Sequence, residues 1–267
     1  MRVALCQIVV GDDPKENLRT ALEAISEASA TPGGVDLAVF PEATVVRFGN
    51  DLADAAEPLD GPFVTALREA AREHGTAIIA GVFEPAPEGR VYNTVVGIDS
   101  TGTLAGSYRK IHLFDAFGDR ESDDVAAGGE PVVLDLAGTR IGLITCYDVR
   151  FPELARALVD QGAEVLVVPA AWAQGVFKEE HWTTLVRARA IENTTWVVAV
   201  DKAPDRTRPP RGAPGGVGRS QLIDPMGTVV ADLGPFPAVR VADLDPAVTS
   251  QVRTFLPALA HRRPDLF

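Results

Sequence analysis

Cysteine is almost absent from this chain, with only Cys6 and Cys146 in 267 residues. So few cysteines cannot form a disulfide framework, and a reducing, cytoplasmic setting is the expectation. Positive charge is also scarce: 25 Lys and Arg stand against 37 Asp and Glu, a net charge of -12. A nucleic-acid binder normally carries a basic stripe, so no nucleic-acid partner is expected. No apolar run reaches the roughly 18 residues that a membrane span needs, so no membrane partner is expected either. The first residues enter a strand-like pattern at once, which argues against a signal peptide. The histidines and cysteines show no metal-ligand spacing, so neither a metal nor another cofactor is expected.

What remains is ordinary globular material, 46% hydrophobic and 23% charged. The length allows one large domain or two small ones, and we read it as one, residues 1–267. Val3 to Val10 reads as a buried strand. Asp13 then caps a helix with Pro14 at its first position and Glu16 completing a capping-box pattern. Leu37 to Phe40 is a second buried strand, and Phe63, Leu67 and Ala70 share the face of a helix closed by Gly75. Strands follow at Thr76 to Phe83, Val91 to Asp99 and Thr103 to Tyr108. The second half repeats the order, with a strand from Arg140 to Thr145 and a helix from Pro152. A strand from Glu164 to Pro169 and a helix from Glu180 come next. The strand from Thr195 to Asp201 leads to a hairpin, Arg219 to Asp224 with Gly227 to Leu233. Its turn, Ile223-Asp224-Pro225-Met226-Gly227-Thr228, reads like Ile98-Asp99-Ser100-Thr101-Gly102-Thr103.

Two similar halves of order β-α-β-α-β-β-β follow. Strands this apolar are buried on both faces, yet each half has too few helices to cover both faces of its own sheet. Stacking two sheets with helices outside both gives an α/β fold, a four-layer α-β-β-α sandwich of two pseudo-symmetric halves. The linker from Ala203 to Gly218 is dense in proline and arginine and reads as an exposed, mobile loop.

The chemistry centres on Ile141-Gly142-Leu143-Ile144-Thr145-Cys146-Tyr147-Asp148-Val149-Arg150-Phe151-Pro152. Cys146 lies between a strand end and a helix start, a setting that favours a thiolate. A small core residue fits the same position. A nucleophilic cysteine needs a base. No histidine stands in a comparable setting, whereas Glu42 directly follows the buried strand and Pro41. Lys110, just beyond a strand, reads alone as a surface lysine, and Glu121, in a loop, carries no signal alone.

The stretches Phe40-Pro41-Glu42, Tyr108-Arg109-Lys110-Ile111-His112-Leu113 and Cys146-Tyr147-Asp148-Val149-Arg150-Phe151-Pro152-Glu153-Leu154 together resemble the nitrilase superfamily of carbon–nitrogen hydrolases. So do His181-Trp182, Arg187 to Asn193, Gly218-Arg219-Ser220 and the closing His261-Arg262-Arg263-Pro264-Asp265. Within it the chain is similar to the small amidases acting on ω-amides and deaminated glutathione. The resemblance implies the same four-layer fold and pairing into homodimers or higher homo-oligomers. It makes Cys146 the nucleophile, Glu42 the general base, Lys110 the electrostatic stabiliser and Glu121 the second glutamate. The implied reaction is hydrolysis of a small, carboxylate-bearing amide through a thioester, with Tyr147 giving a backbone N–H to the oxyanion. Nitrile hydrolysis and N-carbamoyl hydrolysis belong to the same superfamily, and an inactive binding homologue is the remaining reading. The loop Ala170 to Glu180 departs from the relatives. There Trp172 is expected as an apolar wall or a core residue, and Lys178 as a ligand for a substrate carboxylate or a surface residue.

Overall fold

The computed structural model describes residues 1–207 and 215–266. Its first half runs β1 (Arg2–Gln7), α1 (Pro14–Ser29), β2 (Leu37–Val39), α2 (Leu52–Ala55), α3 (Pro62–His74), β3 (Ala77–Pro85), β4 (Val91–Ile98) and β5 (Leu104–Arg109). After the short strand β6 (Val125–Ala126), the second half runs β7 (Val133–Leu136), β8 (Thr139–Leu143), α4 (Pro152–Asp160), β9 (Val165–Ala170), α5 (Lys178–Asn193), β10 (Trp196–Asp201), β11 (Gln221–Ile223) and β12 (Val229–Asp232). The chain closes with β13 (Ala238–Asp243) and α6 (Ala247–Phe255).

The strands form two sheets of matching order. One is β13-β1-β2-β3-β4-β5, with β6 added on β4; the other is β7-β8-β9-β10-β11-β12. In each, the first edge strand is antiparallel, three parallel strands follow and an antiparallel hairpin closes the sheet. The expected repeat is therefore present, and each sheet carries one edge strand more than the sequence pattern suggested. The edge strand of the first sheet, β13, comes from the far end of the chain. Its half-exposed residues lack the apolar run that marks the central strands. The two hairpin turns also match. Asp99 accepts the N–H groups of Thr101 and Thr103, and Asp224 those of Met226 and Thr228. Gly102 and Gly227 supply the left-handed conformation, with φ of 81° and 82°.

Alternation along the first sheet divides the apolar side chains between two cores. Ala4, Cys6, Ala38, Ile78 and Ala80 pack under α1 and α3 with Ile25 and Leu67. Val3, Leu5, Leu37, Val39 and Ile79 face the second sheet and share a core with Leu143, Val167, Val198, Leu158 and Trp182. The layers are therefore helices, sheet, sheet, helices. Burying each large side chain contributes about 1.5–3 kcal/mol, which is what holds the two sheets face to face.

Several local readings change. Asp13 caps α1 by accepting from the N–H of Lys15, while Glu16 is engaged by Arg19 rather than closing a capping box. Part of the proline-rich linker, residues 208–214, lies outside the described residues. Arg206 and Thr207 are exposed as expected, but the two ends are buried: the Ala203 N–H donates to the Ile8 carbonyl at 2.9 Å, and the Val217 N–H donates to Asp201 at 2.6 Å. A backbone polar group held by a partner distant in sequence leaves no trace in local composition.

Candidate active site

The parallel strands of both sheets end on one side of the sandwich, where reactive groups of α/β folds collect. Beyond β2, Phe40 still pairs with the β3 backbone, and the chain then turns sharply, with Ala43 at a φ of 54°. This turn carries Glu42 inward, only 1% exposed. Beyond β5, the Lys110 N–H donates to the Asn93 carbonyl and the side chain runs into the same space, 2% exposed. Beyond β8, Cys146 opens a short 3-10 turn, Cys146–Arg150, that precedes α4. The nucleophile candidate thus begins its own turn and does not cap α4. Its φ of 47° is a left-handed conformation that costs a non-glycine residue of order 1 kcal/mol and presents the sulfur to the cavity.

The charged groups meet. The Lys110 Nζ donates to Glu42 Oε1 at 2.9 Å and to Glu121 Oε1 and Oε2 at 3.0 and 2.8 Å. The other Glu42 oxygen, Oε2, accepts the Ala171 N–H at 2.8 Å, and Cys146 lines the same cavity as the Glu42 carboxylate. Glu121 is pinned by the Phe114 N–H at 2.6 Å. Asn93, on β4, donates its side-chain amide to Glu42 at 2.7 Å and Glu121 at 3.1 Å.

These contacts fix the resting charges. Burial pushes the Glu42 carboxyl up, but the Lys110 ammonium and the Asn93 amide outweigh it and hold the carboxyl below its usual range. Burial works against the Lys110 ammonium, and the carboxylates of Glu121 and Glu42 reverse this and hold it well above the usual lysine range. For Cys146, burial and then the Glu42 charge push the thiol well up, against a smaller opposing pull from Lys110. At rest Cys146 is therefore a thiol, Glu42 a carboxylate and Lys110 an ammonium. A protonated thiol sharing a cavity with an ionised carboxylate is the arrangement for general-base activation.

A floor of hydrogen bonds supports the Cys146 turn. Asp148, fully buried, accepts the Thr145 N–H at 3.0 Å, the Tyr108 hydroxyl at 2.7 Å and the His112 N–H at 2.9 Å. The His112 Nδ1 lies 2.7 Å from the same carboxylate, and the ring stacks on Phe151 with centroids 3.7 Å apart. Among the described residues no histidine is bonded to Cys146. His112 belongs to Asp148, and the His181 Nδ1 lies 3.4 Å from an Arg150 guanidinium nitrogen.

Glu42, Lys110, Glu121, Cys146, Tyr147, Trp172 and Lys178 all line one cavity of about 280 Å³. Trp172 serves both readings: it forms a wall and is itself buried, its indole N–H donating to the Lys178 carbonyl at 2.7 Å. Its backbone N–H donates to Asp201 at 2.8 Å, one residue from the N–H that holds Glu42. Lys178 is buried rather than on the surface, with Nζ 3.8 and 5.0 Å from the ring centroids of Phe117 and Phe114. No carboxylate among the described residues forms an ion pair with it, and burial and the nearby Arg150 lower its pKa. Among the described residues, no group of His, Cys, Asp and Glu is placed to hold a metal ion.

Sequence reasoning missed Asn93, Asp148 and the Ala171 N–H. Asn93 stood out only as an amide in the otherwise strand-forming run Val91-Tyr92-Asn93-Thr94-Val95. The Ala171 contribution is a backbone group and has no signature.

The family model for carbon-nitrogen hydrolases matches residues 2–254. The chain is 39% identical over 240 residues to the deaminated glutathione amidase of Escherichia coli O157:H7, covering 88% of each. It superposes on Saccharomyces cerevisiae Nit3, a member of branch 10 of the nitrilase superfamily, with a TM-score of 0.88, 28% identity and coverage of 98% of this chain and 96% of that one. It is also similar to a variant of the Nesterenkonia amidase in which the acetamide moiety of fluoroacetamide is covalently added at the active-site cysteine. There the TM-score is 0.82 at 27% identity, over 100% of this chain and 95% of that one. The chain belongs to the carbon-nitrogen hydrolase family. Within the nitrilase superfamily it is an amidase-type enzyme acting on C–N bonds.

Proposed function

We propose that this enzyme hydrolyses a small, carboxylate-bearing amide to the acid and ammonia through a thioester on Cys146. The observation that carries the reading is the convergence of Cys146, Glu42 and Lys110 on one cavity, with the Lys110 Nζ 2.9 Å from Glu42 Oε1. Glu42 takes the thiol proton as sulfur attacks the amide carbon. The oxyanion that forms is stabilised by the Lys110 ammonium and the Tyr147 N–H. Glu42 returns the proton to the nitrogen, the C–N bond breaks and ammonia leaves. Glu42 then deprotonates water, which attacks the thioester carbon; the acid departs and the sulfur regains its proton. Glu121 holds Lys110 in place. Trp172 forms the apolar wall, and Lys178, an ammonium facing the cavity without an ion-pair partner among the described residues, takes the substrate carboxylate.

The same reading makes the chain one cytoplasmic catalytic unit that pairs into a homodimer or higher homo-oligomer. The test is ammonia release from a panel of short amides, with and without a carboxylate, headed by deaminated glutathione. Carbon dioxide as a second product would indicate an N-carbamoyl substrate, and turnover of nitriles a nitrilase. Amide hydrolysis that survives Cys146→Ala would overturn the nucleophile assignment.

A further inference from the structure

Asn93 and Lys110 engage the same two oxygens. Glu42 Oε1 accepts from Asn93 Nδ2 at 2.7 Å and from Lys110 Nζ at 2.9 Å. Glu121 Oε1 accepts from the same donors at 3.1 and 3.0 Å. The four groups close a ring in which two neutral or cationic donors alternate with two carboxylate oxygens. Glu42 Oε1 is thereby occupied twice, and among the described residues Oε2 accepts a hydrogen bond from the Ala171 N–H.

The amide of Asn93 is committed to this orientation. It is 1% exposed, and its Oδ1 is buried with no hydrogen-bond partner among the described residues. A flipped amide would aim that oxygen at two carboxylates, a like-polarity contact in a dry site. Leaving one buried acceptor without a partner is the smaller cost.

We infer that Asn93 is a positioning residue that saturates Glu42 Oε1 and so leaves Oε2 as the oxygen that takes the proton from Cys146. This rests on the amidase reading of the site. Asn93 touches neither sulfur nor substrate and acts through Glu42, whose carboxylate it keeps ionised and turned. The charged and titratable groups around Glu42 are Lys110 from the end of β5, Glu121 from its loop, Cys146 from the turn after β8, and Asp201 and Lys202 from the end of β10. Without the Asn93 donor, Glu42 is held by Lys110 and the Ala171 N–H alone.

The sign follows. The base must be ionised, so activity falls as pH drops through its pKa. Removing a donor to the carboxylate raises that pKa, and the acid limb of kcat/KM moves to higher pH. For Asn93→Ala, kcat should fall roughly 10- to 100-fold with KM little changed, and the acid limb should rise by about one pH unit. Asn93→Asp, of nearly equal volume, replaces the donor by an acceptor and should lose more activity than Asn93→Ala. A residue that merely fills space would show the opposite ranking and an unmoved limb.

The experiment pairs these profiles with the pH dependence of iodoacetamide alkylation at Cys146, followed by peptide mass analysis, which needs no knowledge of the substrate. Native far-UV circular dichroism is the entry condition for both variants, and Asn93→Ser serves where either fails to fold. Unchanged pH profiles in both assays would overturn the role of Asn93. Shifted alkylation in a protein that hydrolyses no amide would uphold Asn93 and overturn the amidase reading instead.

Discussion

A Cβ on Gly81 would stand 2.7 Å from the Cα of Glu42 and 2.5 Å from the backbone N of Ala43. The β3 backbone thus touches the turn that carries Glu42. The Thr44 N–H donates to the Gly81 carbonyl at 2.8 Å, and the Gly81 N–H donates to the Pro41 carbonyl at 3.2 Å. Glycine is required here for close approach. Gly81→Ala should cost about 1–3 kcal/mol in chemical denaturation. It should also lower kcat by more than tenfold by moving Glu42, since displacements near 1 Å can cost about 100-fold. Full activity in a stable Gly81→Ala protein would contradict the contact.

Asp148 answers four donor contacts with two oxygens, and an asparagine there would turn an N–H₂ group toward donors. Asp148→Asn should destabilise the fold by roughly 2–4 kcal/mol in urea melts. It should also slow alkylation of Cys146, because the turn that sets the sulfur loses its anchor at Thr145.

Such networks mark the limit of what the sequence conveyed. The central strands and helices could be read because their apolar spacing is strong, as in Ile141 to Ile144. The edge strands β7 and β13 could not, since short or half-exposed strands carry little period. Glu42, Lys110 and Cys146 stand in contiguous words with a family resemblance. Asn93 is one amide inside a strand, and Ala171 acts through its backbone. Both become meaningful only when the two sheets bring segments 51 and 129 residues from Glu42 into contact with it. The linker misled for the same reason: proline content signals a loop, but the bonds that bury Ala203 and Val217 are long-range.

The proposed carboxylate ligand makes a selective prediction. Lys178→Met should raise KM for a carboxylate-bearing amide by about 10- to 100-fold, the worth of one charge-assisted hydrogen bond. For a neutral amide of similar size, KM should hardly change. Because burial and Arg150 lower the Lys178 pKa, the wild-type preference for the carboxylate substrate should fade at a pH below that at which an ordinary lysine discharges. Equal KM changes for both substrates would remove Lys178 from the carboxylate site.

Lys202 predicts a pH effect on stability. Burial lowers its pKa from 10.5 to about 8, against the pull of Asp201. The unfolded chain therefore binds more protons than the native one between these values, and stability rises with pH across that window. The gain is on the order of 3 kcal/mol. It is absent below pH 8 and complete near pH 10.5. In urea melts, the stability of the wild type relative to Lys202→Met should rise between pH 7.5 and pH 10, a difference that cancels the opposite contribution of the buried thiols Cys6 and Cys146 common to both proteins. An equal pH response in both proteins would assign it elsewhere.

The central claim is that the C–N bond is broken by Cys146 with Glu42 as base. Its most direct measurement is intact-protein and peptide mass spectrometry of the Glu42→Gln variant quenched during reaction with an amide the wild type turns over. Without the base that takes the thiol proton and later activates water, the variant should release no ammonia and carry no acyl group, whereas the wild type quenched in the same way should carry the acyl group as a thioester on the peptide containing Cys146. Continued multiple-turnover release of ammonia, with Cys146 unmodified throughout, would contradict the account.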